Sequence, residues 1–234
     1  MRKFLPLFYF LTFILSANAQ DIQRKQLIAS RITSNIHIDG ILNEPEWADV
    51  AEATDFTQFQ FVYGKPSAYA TSIKVMYDNT AIYIGATMYD PHPDSIQKDL
   101  AARDEFGSAD FIGIIMDPYQ EGVNGIEFFV TASGVQAEAK TYPNSDNGED
   151  FTWDAVWVSA AKITEKGWVA ELKIPFSAIR FPNKDEQSWY INFVREVKRN
   201  RDKSAWNAID PQVQGFVNQS GILTGINNIK APVR

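Results

Sequence analysis

Short runs of alternating apolar and polar residues recur along this chain, and they restrict its fold more than any other feature of the sequence. Residues 72–90, SIKVMYDNTAIYIGATMYD, consist of two such runs on either side of the turn residues Asp78-Asn79. Runs of the same kind occupy residues 36–40, 125–142, 156–176 and 188–197, and residues 109–117 are almost wholly apolar, as in a central strand. Because successive side chains of a strand point to opposite faces, this pattern indicates strands joined by tight turns. The sequence therefore predicts an all-β fold, an antiparallel, jelly-roll-like β-sandwich.

Helical signals are confined to one or two short segments. In LNEPEW, residues 42–47, Asn43 is a common helix-capping residue, Pro45 suits the first turn, and Glu46 follows Asn43 at the spacing of a capping box. The sequence predicts a short helix there and a second helical turn at residues 177–179.

Residues 1–19 have the composition of a secretory signal peptide. Arg2 and Lys3 precede the apolar run 4–15, and Ala17-Asn18-Ala19 fits a cleavage site. We therefore expect an exported protein that is periplasmic, outer-membrane-associated or secreted. No later run reaches about 18 apolar residues, so the mature chain is expected to have no transmembrane segment. The predicted divisions are a signal peptide 1–19, an N-terminal lead segment 20–31, a sandwich domain 32–230 and a C-terminal end 231–234.

Charge and residue usage argue against several classes of function. The formal net charge is −7, and a negative surface repels phosphate backbones, so a nucleic acid is not an expected partner. The chain has two histidines and no cysteine, which leaves serine- or cysteine-type hydrolysis without a recognisable set of residues. Among 29 acidic residues, some pair matches glycosidase spacing by chance. We therefore nominate no catalytic residue and do not expect intrinsic catalysis.

The segment DFTWDAVWV, residues 150–158, places two tryptophans where they either bind a ligand or pack in the core. The alternation leaves open whether the tryptophans or Val156 and its neighbours face inward. Because an acid-rich loop precedes the segment, Trp153 is expected at a loop mouth beside Asp154. An indole ring packs against the C–H face of a pyranose, and a carboxylate accepts hydrogen bonds from its hydroxyls. Trp153, Asp154 and Trp157 are therefore candidate carbohydrate-binding residues, although packing is the expected role of Trp157.

Arg195 interrupts an apolar strand face. In SWYINFVREV, residues 188–197, Trp189, Ile191 and Phe193 share one face, and Arg195 is the next residue on it. A buried arginine without a partner is strongly destabilising. We therefore expect a position at the sheet edge, an internal ion pair, or contact with ligand oxygens, which the forked guanidinium suits. These alternatives stay open, and Arg195 is retained as a candidate carbohydrate-binding residue.

The loop YPNSDNGED, residues 142–150, concentrates the oxygen ligands that calcium prefers. Its glycine is one position off the EF-hand pattern, so the metal hypothesis is an irregular loop site that uses Asp146, Glu149 and Asp150. The alternative is a solvated acidic loop. A structural Ca²⁺ is the one cofactor that the sequence suggests.

Four segments, in order along the chain, resemble the successive blocks of the family 9 carbohydrate-binding module. They are IDGILNEPEW (38–47), IKVMYDNTAIYIGATMYDP (73–91), ADFIGIIMDPY (109–119) and GWVAELKIPFSAIRF (167–181). The resemblance covers about residues 32–230. It implies a β-sandwich that often carries calcium, and a non-catalytic domain that binds oligosaccharides or polysaccharides.

Sugar-binding members of that family hold a saccharide between two tryptophans, one just before the strand that resembles DFIGIIMD and one in the last loop. At the corresponding places this chain has Phe106 and Phe216. The resemblance therefore nominates these two residues for carbohydrate binding. Phenylalanine replaces tryptophan at both places, and its smaller ring stacks more weakly.

A closer likeness is to the N-terminal domain of a group of Gram-negative outer-membrane proteins, in which such a sandwich precedes a β-barrel. TWDAVW (152–157) and GFVNQSGILTGI (215–226) are similar to segments of that group, and residues 231–234 correspond to the start of the barrel region. Three functions follow from the resemblances. The first is an exported carbohydrate-binding domain that serves polysaccharide catabolism. The second is an accessory domain that docks on an outer-membrane β-barrel or another partner. The third is a glycoside hydrolase assigned only by association with the enzymes that carry such modules.

Overall fold

The structure is a computed structural model that describes residues 23–142 and 148–232. Within these residues it contains fifteen strands and five short 3₁₀ helices. The strands are β1 Gln26–Ile28, β2 Ser30–Arg31, β3 Glu52–Ala53, β4 Thr57–Gln60, β5 Thr71–Tyr77, β6 Ala81–Tyr89, β7 Phe111–Asp117, β8 Gly125–Thr131, β9 Gln136–Thr141, β10 Glu149–Asp150, β11 Val158–Thr164, β12 Gly167–Pro175, β13 Glu186–Val197, β14 Asp202–Ala205 and β15 Gly221–Asn227. The 3₁₀ helices are Pro45–Trp47, Pro93–Ser95, Phe176–Ala178, Lys198–Asn200 and Val217–Gln219.

The strands form two sheets that enclose the main core. The nine-stranded sheet has the order β1-β15-β13-β7-β8-β9-β10, and β14 pairs with both β13 and β4. The six-stranded sheet has the order β11-β12-β6-β5-β2, and β3 pairs with β5. Among the described strands, the β1–β15 and β2–β5 pairs are parallel and the others are antiparallel. The predicted β-sandwich is confirmed, with two parallel pairs that the sequence did not indicate.

Residues 72–90, 125–142 and 156–176 each form a hairpin, and the first turns at Asp78-Asn79 as predicted. Asp78 Oδ1 accepts hydrogen bonds from the backbone N–H groups of Thr80, at 2.6 Å, and Ala81, at 2.8 Å, which closes the β5–β6 turn. Gly134 and Gly167 have φ angles of 85° and 136° at the β8–β9 and β11–β12 turns. Such positive angles favour glycine because its lack of a Cβ removes the steric conflict. The turn residues therefore define the register of the hairpins.

The core between the sheets is built from the apolar faces that the alternation predicts. Trp168 of β12 and Trp189 of β13 are both fully buried, each on the apolar face of its strand. The Trp189 indole N–H donates to Gln187 Oε1 at 3.1 Å, so its polar atom has a partner inside the core. Phe181 packs on Trp189 with 5.6 Å between ring centroids. Burial of such large rings is the main stabilising contribution to a sandwich of this kind.

The predicted capping box at Asn43 is wrong. The helix there is a single 3₁₀ turn whose N-cap is Glu44, and no side chain forms a cap hydrogen bond. Glu44 Oε1 instead accepts the backbone N–H of His37 at 3.1 Å. The second predicted helical turn is present, one residue earlier, as Phe176–Ala178. In the part of the chain that the structure describes, no helix has the length and apolar character needed to cross a membrane.

Candidate functional site

The outer face of the nine-stranded sheet, on the side away from the six-stranded sheet, carries an apolar cleft. Small residues, chiefly Ala137, Ala139 and Ala205, pack in the buried cluster on this face. Gly113 of β7 lies beside Phe129 of β8 in the sheet register. A Cβ atom at Gly113 would lie 2.5 Å from the Phe129 ring, so glycine leaves the room that this ring occupies. The floor of the cleft is thus an aromatic surface laid over small residues.

Phe106, in the loop before β7, forms one wall of this cleft. Its ring packs on Phe111, with 4.8 Å between centroids, and edge-to-face on Phe129 and Phe151, at 5.2 and 5.8 Å. Phe216, from the loop after β14, lines the same cleft. We call this site the phenylalanine cleft, defined by Phe106, Phe111, Phe129, Phe151 and Phe216. It encloses about 300 Å³.

Two sets of hydrogen bonds hold the loops that carry the wall residues. Arg103 Nη1 donates to Gln136 Oε1 at 2.8 Å, and the backbone N–H of Asp104 donates to the Gln136 carbonyl at 3.1 Å. These contacts fix the Phe106 loop along the free edge of β9. The buried side chain of Gln219 donates to the Gly215 carbonyl at 2.7 Å and accepts the Asp210 N–H at 2.8 Å. The Phe216 loop is therefore closed by its own buried amide.

A buried acid, Glu127, lies at the floor of the phenylalanine cleft. It is 2% exposed, and the Thr141 hydroxyl donates to one of its oxygens. The carboxyl group of Glu149, at the rim, lies against it. Burial, with repulsion from Glu149 in the same direction, raises the pKa of Glu127 to about 8. At neutral pH this residue is therefore a protonated acid that can donate as well as accept hydrogen bonds.

Three further charged groups surround the same floor. Glu196 forms ion pairs with Lys198, at 3.0 Å, and Lys203, at 3.9 Å. The Lys203 ammonium also lies 5.7 Å from the Phe111 ring centroid and 5.9 Å from that of Phe59, which itself packs on Phe216. Half-buried rings with donors and acceptors at their edges suit a ligand that has an apolar face and a polar rim.

The acidic pair of the cleft does not have the geometry of glycoside hydrolysis. Retaining enzymes separate their two carboxyl groups by about 5 Å, and inverting enzymes by roughly 6.5–9.5 Å. Glu127 and Glu149 are in direct contact, so no glycosidic oxygen or water fits between them. The contact between Glu127 and Glu149 instead suits a polar surface at the base of a binding cleft.

Trp153 and Trp157 lie in the same segment but have different environments. Trp157 is 6% exposed, packs on Phe128 and donates its indole N–H to Glu138 Oε2 at 3.1 Å. Its predicted packing role is confirmed, and its burial removes it from the candidate ligand contacts. Trp153 is half-buried and Asp154 is exposed, as expected for a loop mouth, but neither lines the phenylalanine cleft. The two residues belong to a different cleft.

Arg195 is fully buried, so its candidacy as a ligand-binding residue is wrong. It donates from Nη1 to the Ala70 carbonyl at 2.9 Å and the Thr71 hydroxyl at 3.1 Å, and from Nη2 to the Tyr89 carbonyl at 3.0 Å. These partners lie at the ends of β5 and β6, in the sheet opposite β13. Within residues 23–142 and 148–232 its partners are thus backbone carbonyls and a hydroxyl, and it links the two sheets.

The predicted calcium ligands do not form a common site in the described residues. Glu149 and Asp150 are consecutive in β10, so their side chains point to opposite faces. Asp150 Oδ1 accepts hydrogen bonds from the N–H and hydroxyl of Thr152, while Glu149 lies against Glu127. Asp146 lies outside the described residues. Among the residues described, no three His, Asp or Glu side chains are close enough to share a metal ion, and the calcium site stays a prediction.

Sequence reasoning did not identify Glu127, Phe151 or Lys203 as cleft residues. The signal for Glu127 was available, because it interrupts the apolar run of β8 just as Arg195 interrupts that of β13. For Lys203 no comparable signal exists. It reaches the cleft because β14 pairs with the far half of β13.

The fold and the cleft together define a class, the β-sandwich binding domains that present aromatic rings on a sheet face. A family model described as "Carbohydrate family 9 binding domain-like" matches residues 38–220. The chain therefore belongs to this family, as the four sequence blocks indicated. No curated protein sequence matches the chain significantly.

Solved structures similar to this chain support the same fold. One is a family 9 carbohydrate-binding module from Caldicellulosiruptor kristjanssonii in complex with cellotriose, with 14% identity, a TM-score of 0.59, and coverage of 89% of this chain and 95% of that one. A glucose complex of a module from the same organism has 15% identity and a TM-score of 0.58, and the match covers 89% of this chain and 97% of that one. A Bacteroides uniformis protein provisionally described as carbohydrate-binding has 11% identity and a TM-score of 0.68, and the match covers 86% of this chain and 99% of that one. At these identities the likeness demonstrates the fold alone.

Proposed function

We propose that the protein is a non-catalytic carbohydrate-binding domain and that it binds a saccharide in the phenylalanine cleft. The observation that carries the proposal is the position of Phe106 and Phe216. They line one cavity on the sheet face, and they are the two residues that the family resemblance nominates for stacking. A pyranose C–H face would pack against these rings.

The floor supplies the polar contacts that such a ligand needs. Glu149 and Lys203 would bind sugar hydroxyls, and the buried, protonated Glu127 would hold Glu149 from beneath. Phenylalanine stacking is weak, so we expect a modest affinity, of the order of 10⁻⁴ to 10⁻³ M. The expected export, and a role in polysaccharide catabolism, extend this proposal and rest on the sequence. Residues 1–19 lie outside the described residues.

Replacing either wall ring by alanine is expected to weaken saccharide binding. Each of Phe106→Ala and Phe216→Ala removes one stacking face, worth about 1 kcal/mol, and raises Kd roughly fivefold. The measurement is isothermal titration calorimetry with glucose, cellotriose and xylotriose as probes; the first two are the ligands of the similar solved complexes.

The matched control is Phe61→Ala. Phe61 is 71% exposed in the loop after β4 and does not line the cleft, so its variant is expected to bind as the wild type does. Unchanged affinity in both Phe106→Ala and Phe216→Ala would rule out this cleft as the site. The absence of any binding by the wild type would instead favour an accessory domain that docks on a partner.

A further inference from the structure

A second, larger cleft opens at the end of the sandwich where β7 ends and β8 begins. It encloses about 640 Å³ and has no lining residue in common with the phenylalanine cleft. We call it the end cleft, and the side chains that matter for its chemistry are Tyr119, Lys140, Tyr142, Trp153, Asp154 and Arg180. A concave site of this volume is in the range that binds small ligands.

The end cleft contains the most accessible indole of the protein. Trp47, Trp157, Trp168, Trp189 and Trp206 are each at most 6% exposed, whereas Trp153 is half-buried. Beside it, Tyr119 is 52% exposed and Tyr142 is 40% exposed. Large rings left accessible together in a concave site mark a binding surface.

The Trp153 ring is held in place before any ligand arrives. Its edge packs on Phe128, with 5.9 Å between centroids and an angle of 70° between the rings. The segment that carries it is tied to the sheet, because the buried Glu138 accepts the backbone N–H of Ala155 at 3.0 Å and the indole N–H of Trp157. A ring fixed in this way loses little conformational entropy on binding.

Two charged groups of the end cleft are available for a ligand. Asp154 and Arg180 are exposed, and neither forms a hydrogen bond or ion pair with any residue that the structure describes. The neighbouring Asp117 is already used, because its oxygens accept the backbone N–H groups of Tyr119 and Gly122. An acceptor and a forked donor beside an indole match adjacent hydroxyl groups on a pyranose.

The Trp153 ring already has a charged neighbour in the cleft. The Lys140 ammonium lies 4.8 Å from the Trp153 ring centroid, a distance typical of a cation–π contact. Lys140 is a flexible side chain at the rim and adds a further donor for ligand oxygens. Charged groups of both signs alternate with rings around this cleft. A polyhydroxylated ligand suits that surface better than the apolar face of a protein partner.

We propose that the end cleft is a second saccharide-binding site, in which a pyranose stacks on Trp153 while Asp154 and Arg180 bind its hydroxyl groups. This site is independent of the proposed phenylalanine cleft, since the two share no residue. A domain with two such sites gains avidity for a polysaccharide that reaches both.

The tryptophan signals of the protein distinguish the two sites, because no tryptophan lines the phenylalanine cleft. The experiment is a titration of the ¹⁵N-labelled protein with cellotriose, xylotriose and trigalacturonate, followed by the indole N–H resonances. Trp153→Phe assigns the Trp153 signal by its loss. We expect that signal to shift saturably with at least one probe, while the signals of the five buried indoles stay in place.

Three variants complete the test. Asp154→Asn and Arg180→Gln are each expected to weaken the response of the Trp153 signal roughly fivefold to tenfold, while Phe216→Ala leaves it unchanged. If no probe shifts the Trp153 signal, the end-cleft proposal is overturned, even where calorimetry detects binding at the phenylalanine cleft. If the Trp153 signal shifts but Phe106→Ala and Phe216→Ala leave the saccharide affinity unchanged, the end-cleft proposal is supported and the proposed function of the phenylalanine cleft fails. A shift that survives both Asp154→Asn and Arg180→Gln overturns the assigned polar contacts.

Discussion

Replacing Arg195 by alanine is expected to lower the free energy of unfolding by about 3–5 kcal/mol. Its guanidinium connects β13 to the ends of β5 and β6 through the carbonyls of Ala70 and Tyr89. Without it, these carbonyls lose their donor and the nearby buried Asp110 loses a compensating positive charge. The measurement is equilibrium unfolding in urea, with the midpoint and slope fitted together.

The matched control is Arg180→Ala, which removes the same charge from an exposed site and is expected to change stability by less than about 0.5 kcal/mol. Arg195→Lys is expected to fall between the two, because a single ammonium does not span carbonyls that two guanidinium nitrogens reach. A loss of under about 1 kcal/mol in Arg195→Ala would show that the two sheets do not depend on this link.

Glu127→Gln is expected to stabilise the protein at alkaline pH by about 1–3 kcal/mol relative to the wild type. In the unfolded chain Glu127 ionises near its ordinary pKa of 4.5, whereas in the folded protein burial raises the pKa to about 8. The folded state therefore binds more protons between these values, and the wild type loses stability as the pH rises from about 4.5 to about 8. Glutamine has no proton to lose and retains both a donor and an acceptor for Glu149 and Thr141.

The check is a series of urea unfolding curves from pH 4 to pH 9. The two proteins should be similar in stability at pH 4, and the difference should grow until about pH 8. Glu186→Gln, at an exposed position, carries the same charge change and is expected to show no such growth. A difference between Glu127→Gln and the wild type that is constant over the whole range would contradict a raised pKa.

Much of the fold was predictable because alternation is a local property. The hairpins, the burial of Trp168 and Trp189, and the anomaly at Arg195 all follow from which residues share a strand face. The identity of the partners of Arg195 did not follow. They are carbonyls contributed by residues more than 100 positions away, in the other sheet. Because every residue has a backbone carbonyl, the sequence does not show which ones accept from Arg195.

The candidate sites were only partly predictable. Phe106 and Phe216 were found through resemblance, and they do line one cleft. Trp153 and Trp157 share a strand parity, and the sequence distinguished them only through the acid-rich loop before Trp153. The hydrogen bond from the Trp157 indole to Glu138, which holds Trp157 in the core, was not predictable. Glu127 and Lys203 reach one cavity through the pairing order of β8, β7, β13 and β14, which depends on the whole sheet.

The measurement that tests the central claim most directly is the detection of intermolecular NOEs between a bound saccharide and phenylalanine rings. Protein with protonated phenylalanine in an otherwise deuterated background would be saturated with the tightest probe from the calorimetry. We predict contacts from sugar ring protons to Phe106 and Phe216, assigned by their loss in the two alanine variants. A saturated complex with no NOE to either ring would contradict the account.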